Sequence, residues 1–104
     1  MKVKTKVVKI DWDGKQEDVE LKELTFGEYN DLMEEAAEVK LIGTTPQVKI
    51  SHSKMKEFAL LKAVTKAPFE KSIQAIRNLP RAIGDQLYAE VDKLNTIPAA
   101  KKET

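Results

Sequence analysis

One histidine, three aspartates around a turn and a run of lysines are the residues of this chain whose types and spacing could do chemistry. His52 stands in Ser51-His52-Ser53, close to an expected helix start. A serine next to a histidine in sequence is not a nucleophile–base pair, because that pair is recognised by converging side chains rather than by adjacency. With a single His and no Cys, catalysis by His52 has no second member to build on, and it reads as a solvent-facing residue. Asp11, Asp13 and Asp18 flank an Asp13-Gly14 turn. Their spacing misses the calcium loop, which needs further oxygens and a distal Glu, and Asp13 is better explained by turn chemistry. Gly27, Gly43 and Gly84 are too scattered to cradle a phosphate. The chain therefore reads as a non-enzyme with no catalytic residue, no metal ligand set and no cofactor.

The lysines point to binding. Between Lys49 and Arg77 there are seven basic residues and two acidic ones. Lys56, Lys62 and Lys66 gather on one side of an expected helix, and these three with Arg77 are the candidate partner-binding residues. A basic face can touch phosphates. Here no aromatic interleaves with the lysines, since Phe58 and Phe69 read as core, and the whole chain carries only +1. Nucleic-acid binding or a regulatory role is thus the alternative reading, and a protein partner the first. The charge is split along the chain. Residues 1–40 hold seven lysines and eleven acids, a net of −4, and residues 41–104 hold eleven basic residues and six acids, a net of +5. Such a polarised chain can orient a partner or stack head to tail as a weak homo-oligomer.

At 104 residues the chain is one domain by size and long enough to bury a core without staples. The absence of Cys excludes disulfides and thiolate metal sites. The start, Met1-Lys2-Val3-Lys4-Thr5-Lys6, has no apolar stretch of signal-peptide length. No apolar run approaches the roughly 20 residues of a membrane span. A cytoplasmic location is the expectation.

The elements that must position any surface read as α+β. Val3–Trp12 and Glu17–Leu24 are expected strands of an N-terminal hairpin. A two-residue loop would set Lys6 against Leu21 and Ile10 against Glu17. A four-residue loop, residues 13–16, sets Ile10 against Val19 and Val8 against Leu21, with Lys6 facing Glu23 and Lys9 facing Glu20. Register follows the buried face, so the longer loop is preferred, with Trp12 closing the hydrophobic face beside the turn. Thr25-Phe26-Gly27-Glu28 is a capping box, and Leu24 with Tyr29 occupy the staple positions. Tyr29, Leu32, Met33 and Ala36 follow at helical spacing, Phe26 just inside the start, with Glu28, Asp31, Glu34, Glu35 and Glu38 on the solvated side.

Gly43-Thr44-Thr45-Pro46 breaks the pattern. Gln47–Ile50 alternates and is either a third strand on the hairpin or a loop. A second helix is expected over about 53–66, a third opened by Pro68 and carrying Phe69, Ile73 and Ile76, and a fourth carrying Ile83, Leu87, Val91 and Leu94 with Asn95 as its cap. The expectation is one domain over 1–95, a hairpin, three-stranded if 47–50 joins it, packed on about four short helices, with a disordered tail over 96–104.

The order of these pieces resembles the tail assembly chaperones of long-tailed bacteriophages and related proviruses. The likeness is carried by Trp12-Asp13-Gly14-Lys15 in the hairpin, by the junction Val19 to Tyr29, and by Ile76-Arg77-Asn78-Leu79-Pro80 followed by Asp85, Leu87, Val91 and Leu94-Asn95. It covers nearly the whole chain, though each motif is short. The resemblance implies a non-catalytic protein that coats the long tape-measure protein and recruits tail-tube subunits during virion assembly. It brings no catalytic residue and no individual contact. Many such proteins are extended by programmed frameshifting near the C-terminus, and Ala100-Lys101-Lys102 is a place where an A-rich slippery heptamer would fit. A structural tail or head-completion subunit is a further alternative.

Overall fold

A computed structural model of the chain describes residues 3–96. Its elements, in order, are β1 (Thr5–Trp12), β2 (Lys15–Lys22), α1 (Phe26–Ala36), β3 (Ala37–Ile42), β4 (Thr45–Ile50), α2 (His52–Ala63), β5 (Val64–Lys66), α3 (Ile73–Arg77) and α4 (Arg81–Asn95). The fold is α+β, as the sequence pattern implies. Apart from Thr96, the expected tail lies outside the described residues.

β1 and β2 form the N-terminal hairpin, and their register corrects the sequence-based expectation. Trp12 pairs with Lys15, Ile10 with Glu17, Val8 with Val19 and Lys6 with Leu21. The loop is therefore two residues long. Asp13 and Gly14 both take positive φ, 53° and 77°, the combination that a two-residue type I′ hairpin turn requires and that Asp-Gly favours. The shorter register does not waste the apolar faces. It differs from the expected one by two residues, so the same side chains stay inward, and Val8, Ile10, Val19 and Leu21 are all buried. Val8 and Val19 face each other directly, and Ile10 and Leu21 pack against them diagonally. Lys6 and Lys9 find other partners than Glu23 and Glu20: Lys6 Nζ lies 2.9 Å from Glu90 on α4 and Lys9 Nζ 3.1 Å from Asp18.

The third strand of this sheet is β5, with order β1-β2-β5. Val64 pairs with Leu21 and Lys66 with Glu20, antiparallel, with a register shift between them. The expected continuation of the second helix to Lys66 is thus wrong: α2 stops at Ala63, and the next three residues pair with Glu20 and Leu21 on the open β2 edge. Thr65 Oγ1 donates to Glu20 Oε1 at 2.7 Å and fastens the strand. The third helix is also shorter than expected. It begins after Ser72, whose hydroxyl accepts the Ala75 N–H at 3.1 Å, so Pro68 and Phe69 lie before it. Phe69 packs against Trp12, ring centres 5.7 Å apart, and Trp12 closes the hydrophobic face as expected.

α1 begins as its capping box dictates. Thr25 Oγ1 accepts the Glu28 N–H, and Glu28 Oε1 accepts the Thr25 N–H. Leu32 and Ala36 are its buried residues. Phe26, expected just inside the start of the apolar stripe, is 85% exposed. α4 crosses the sheet, Gln86 Nε2 donating to the Lys9 carbonyl at 3.0 Å, and its Leu87 and Val91 join the strand residues in one core with Leu60, Ala63, Val64 and Ile76. Burying such a core, about 1.5–3 kcal/mol per large side chain, is what offsets the chain entropy of ordering it.

Candidate functional site

The lysines singled out by sequence are not one face of one helix. Lys62, only 19% exposed, reaches back to Glu35 at 3.0 Å and joins α2 to α1. Lys56 lies 5.6 Å from the ring centre of Tyr88. Lys66 is on β5 rather than on the helix, opposite Glu20. Arg77, at the end of α3, approaches Glu57 at 3.8 Å. Each basic group has its own acidic or aromatic neighbour, so charges that are consecutive in a sequence tally are dispersed over the surface.

The other chemical candidates have structural work of their own. Ser51 is the N-cap of α2, its hydroxyl accepting the Lys54 N–H at 3.3 Å, and His52 is the exposed first helical residue. Asp11 accepts from Gln16 Nε2 at 3.0 Å, and Asp13 forms the turn. Among the described residues no group of three or more His, Cys, Asp or Glu side chains is placed to hold a metal ion. No described helix is long and apolar enough to cross a membrane.

Among the described residues three side chains carry perturbed ionisation, and each shift has a structural cause. The Glu28 carboxylate is held below the usual carboxylate range by the Lys22 ammonium at 2.6 Å, then by the Thr25 N–H. Glu90 is held down by its hydrogen bond from Lys6. Burial pushes the Tyr88 hydroxyl up. All three belong to joints between elements: Glu28 to β2 and α1, Glu90 to α4 and β1, Tyr88 to the contact of α4 with α2.

The feature that stands apart from the core is a second hairpin, formed where the sequence suggested the end of an acidic helix and an uncertain middle. Glu38, expected on that helix, is on β3. β3 and β4 pair from Ala37 with Ile50 to Ile42 with Thr45, around the two-residue turn Gly43-Thr44, and they form a sheet of two strands only. Gln47–Ile50 is a strand, but it is not the third strand of the N-terminal hairpin. Residues facing one another across an antiparallel ladder share a side of the sheet. One side carries Ala37, Val39 and Leu41 with Pro46, Val48 and Ile50; the other carries Glu38, Lys40 and Ile42 with Thr45, Gln47 and Lys49.

The apolar side faces solvent: Val39 is 68%, Leu41 71% and Val48 69% exposed. At the base of the polar side Glu38 meets Lys54 of α2 at 3.5 Å, while Lys40, Ile42, Gln47 and Lys49 on that side are exposed as well. An amphipathic antiparallel sheet normally packs one face on a core, and a lone two-stranded hairpin is marginal in water. This one is held at its base instead. Ala37 follows α1 directly and gives its N–H to the Glu34 carbonyl. The Ser51 N–H donates to Ala36 O at 2.8 Å and closes the mouth of the hairpin. The radius of gyration is 15.7 Å, against roughly 13 Å for a compact chain of about 100 residues. The sequence signal for it was the alternation of Val39 and Leu41 mirrored by Val48 and Ile50 about Gly43.

Comparison with protein-family models, with curated proteins and with solved structures finds no match.

Proposed function

We propose that the protein is a non-catalytic assembly factor of the tail-chaperone type, which shields an apolar helical stretch of a tape-measure protein on its second hairpin until tail-tube subunits displace it. The observation that carries the reading is the solvent-facing row Val39, Leu41, Val48 and Ile50 on a hairpin anchored to, but not covered by, the body. An exposed apolar strip rimmed by polar residues marks an interaction site, and an amphipathic helix laid along such a strip is a common mode of peptide recognition. The resemblance in the order of elements supplies the kind of partner.

Magnitudes favour a reversible hold. Burying those four side chains contributes about 1.5–3 kcal/mol each before costs, while association costs about 4–15 kcal/mol. One hairpin therefore binds weakly, which suits a shield that tube subunits must remove. Lys66 and Arg77, both exposed, supply long-range attraction to acidic partner segments.

The test is co-expression with the long helical protein encoded in the same gene cluster. The expected result is that this protein keeps it soluble and co-purifies with it, and that Leu41→Ser with Val48→Ser abolishes both effects. Undiminished binding by that double variant, or a gene cluster holding no such long helical protein, overturns the reading. If Lys66→Glu with Arg77→Glu leaves capture unchanged, the basic residues are not part of the contact.

A further inference from the structure

The two outer edges of the second hairpin differ, and the difference selects a partner for one of them. The pair flanking a two-residue turn is the hydrogen-bonded one, here Ile42 with Thr45. Alternation then turns the main-chain groups of Leu41 and Val39 outward on β3, and those of Pro46 and Val48 outward on β4. Pro46 has no N–H to offer, so the β4 edge is blunted in the way natural sheets protect an edge. The β3 edge has no such block: Val39 and Leu41 turn their donors outward, and among the described residues β3 pairs with β4 alone.

We propose that the β3 edges of two copies of this chain pair antiparallel about a two-fold axis at Val39, making one four-stranded sheet. The side-chain pattern picks this register over its neighbours. A slip by one residue would bring apolar side chains to the polar face. Centring on Lys40 would set Lys40 against Lys40 of the second copy, and centring on Glu38 would set the two glutamates together. Centring on Val39 sets Lys40 opposite Glu38 of the second copy, and the two-fold repeats that favourable pair. The two Val39 residues then exchange both main-chain bonds, and each Leu41 N–H meets the Ala37 carbonyl of the other copy. Glu38 keeps Lys54 on its own chain within reach, and Lys49 faces it across the hairpin, so the acidic side chain sits among cations on every side.

The pairing brings the two apolar rows onto one face. Four strands at about 4.8 Å spacing give a floor wide enough for a helix of about 10–12 Å diameter, which a single hairpin does not provide. The dimer itself stands independently of what that face binds, because it rests on the edge and the charges.

Sedimentation velocity of the full chain over a concentration series is the experiment, with Glu38→Lys and Lys40→Glu as separate variants. The wild type is expected to pass from monomer to dimer as concentration rises. Each variant alone places like charges opposite one another twice, and its self-association is expected to weaken about tenfold or more. An equimolar mixture of the two variants restores opposite charges at every position and is expected to recover the dimer. Val39→Pro, which removes the outward N–H as Pro46 does on β4, is expected to be monomeric with an unchanged circular dichroism spectrum. A wild type that stays monomeric at all concentrations overturns the proposal. So does a dimer that survives both charge variants, or a mixture that associates no better than its components. None of these readouts involves the tape-measure partner, so failure here and failure of the shielding role are separate results.

Discussion

The side-chain oxygen of Asn95 accepts the backbone N–H of Leu24 at 2.9 Å, across 71 positions of the chain. The same amide donates to the Val91 carbonyl at 2.7 Å. The last helical residue thus fixes the joint where the N-terminal hairpin turns into α1. Leu24 is buried, so its N–H has no ready replacement by bulk water.

Asn95→Ala is expected to cost about 1–3 kcal/mol, the penalty for a buried donor left without an acceptor. Asn95→Asp keeps an oxygen for Leu24 but sets a second carboxylate oxygen against the Val91 carbonyl at the negative end of α4, so it should also be less stable than wild type. Urea midpoints of the three proteins check the order.

Glu28 makes stability depend on pH. Its folded carboxylate titrates below the usual range because Lys22 and the Thr25 N–H hold its charged form. A lowered value contributes stability that is complete above the unfolded-state titration, about pH 4.3, and is lost as pH falls through the lower folded value. Glu28→Gln is therefore expected to be less stable than wild type at neutral pH, with the gap closing as the solution is acidified. A gap that stays constant from neutral to strongly acid pH would refute the assignment.

Two glycines should respond to alanine with opposite signs. Gly14 sits at φ 77° in the I′ turn, where a side chain is strained, so Gly14→Ala should destabilise by about 1 kcal/mol or more. Gly84 lies inside α4 with nothing within 4 Å of an added Cβ. Gly84→Ala should stabilise by up to about 1 kcal/mol. Thermal melts of both variants test the pair together.

A third contrast separates the body from the second hairpin. Leu87 is fully buried, and Leu87→Ala should cost about 2–5 kcal/mol, enough to unfold a marginal domain. Leu41→Ala removes a side chain that is mostly in water, so it should change stability by less than about 0.5 kcal/mol while weakening partner capture. Equal thermal losses in the two variants would mean that the hairpin's apolar face is packed after all.

Local chemistry explains which parts of the fold were readable from sequence. Thr25 and Glu28 form their box within four residues, and Asp13-Gly14 needs no distant partner to prefer its turn. The I′ turn runs against a face-matching argument, because Ile10 reaches Val19 diagonally and needs no head-on pairing with it. The ends of α1 and α2 were hidden for a different reason. Ala36-Ala37-Glu38 and Ala63-Val64-Thr65 are compatible with helix, and what turns Val64–Lys66 into strand is the open edge of β2, more than 40 positions earlier in the chain. α2 also lacks a clean stripe. Ala59, Leu60 and Ala63 are buried while Met55, Phe58 and Leu61 pack partly, because neighbours meet this helix on more than one side. Of the candidate site, the lysines were visible and their dispersal was not. The hairpin that replaces them as the leading surface was visible only as an alternation around Gly43.

The mouth of that hairpin gives it an architectural independence. It leaves α1 at Ala37 and rejoins the chain at Ile50, its cross-strand partner, with the Ser51 N–H on Ala36 O sealing the gap at 2.8 Å. An insert whose two ends coincide can be lengthened, shortened or exchanged without moving its flanks. Homologous scaffolds could therefore carry different fingers in this slot while α1 and α2 keep their seats, and partner choice would vary by cassette exchange rather than by remodelling of the core.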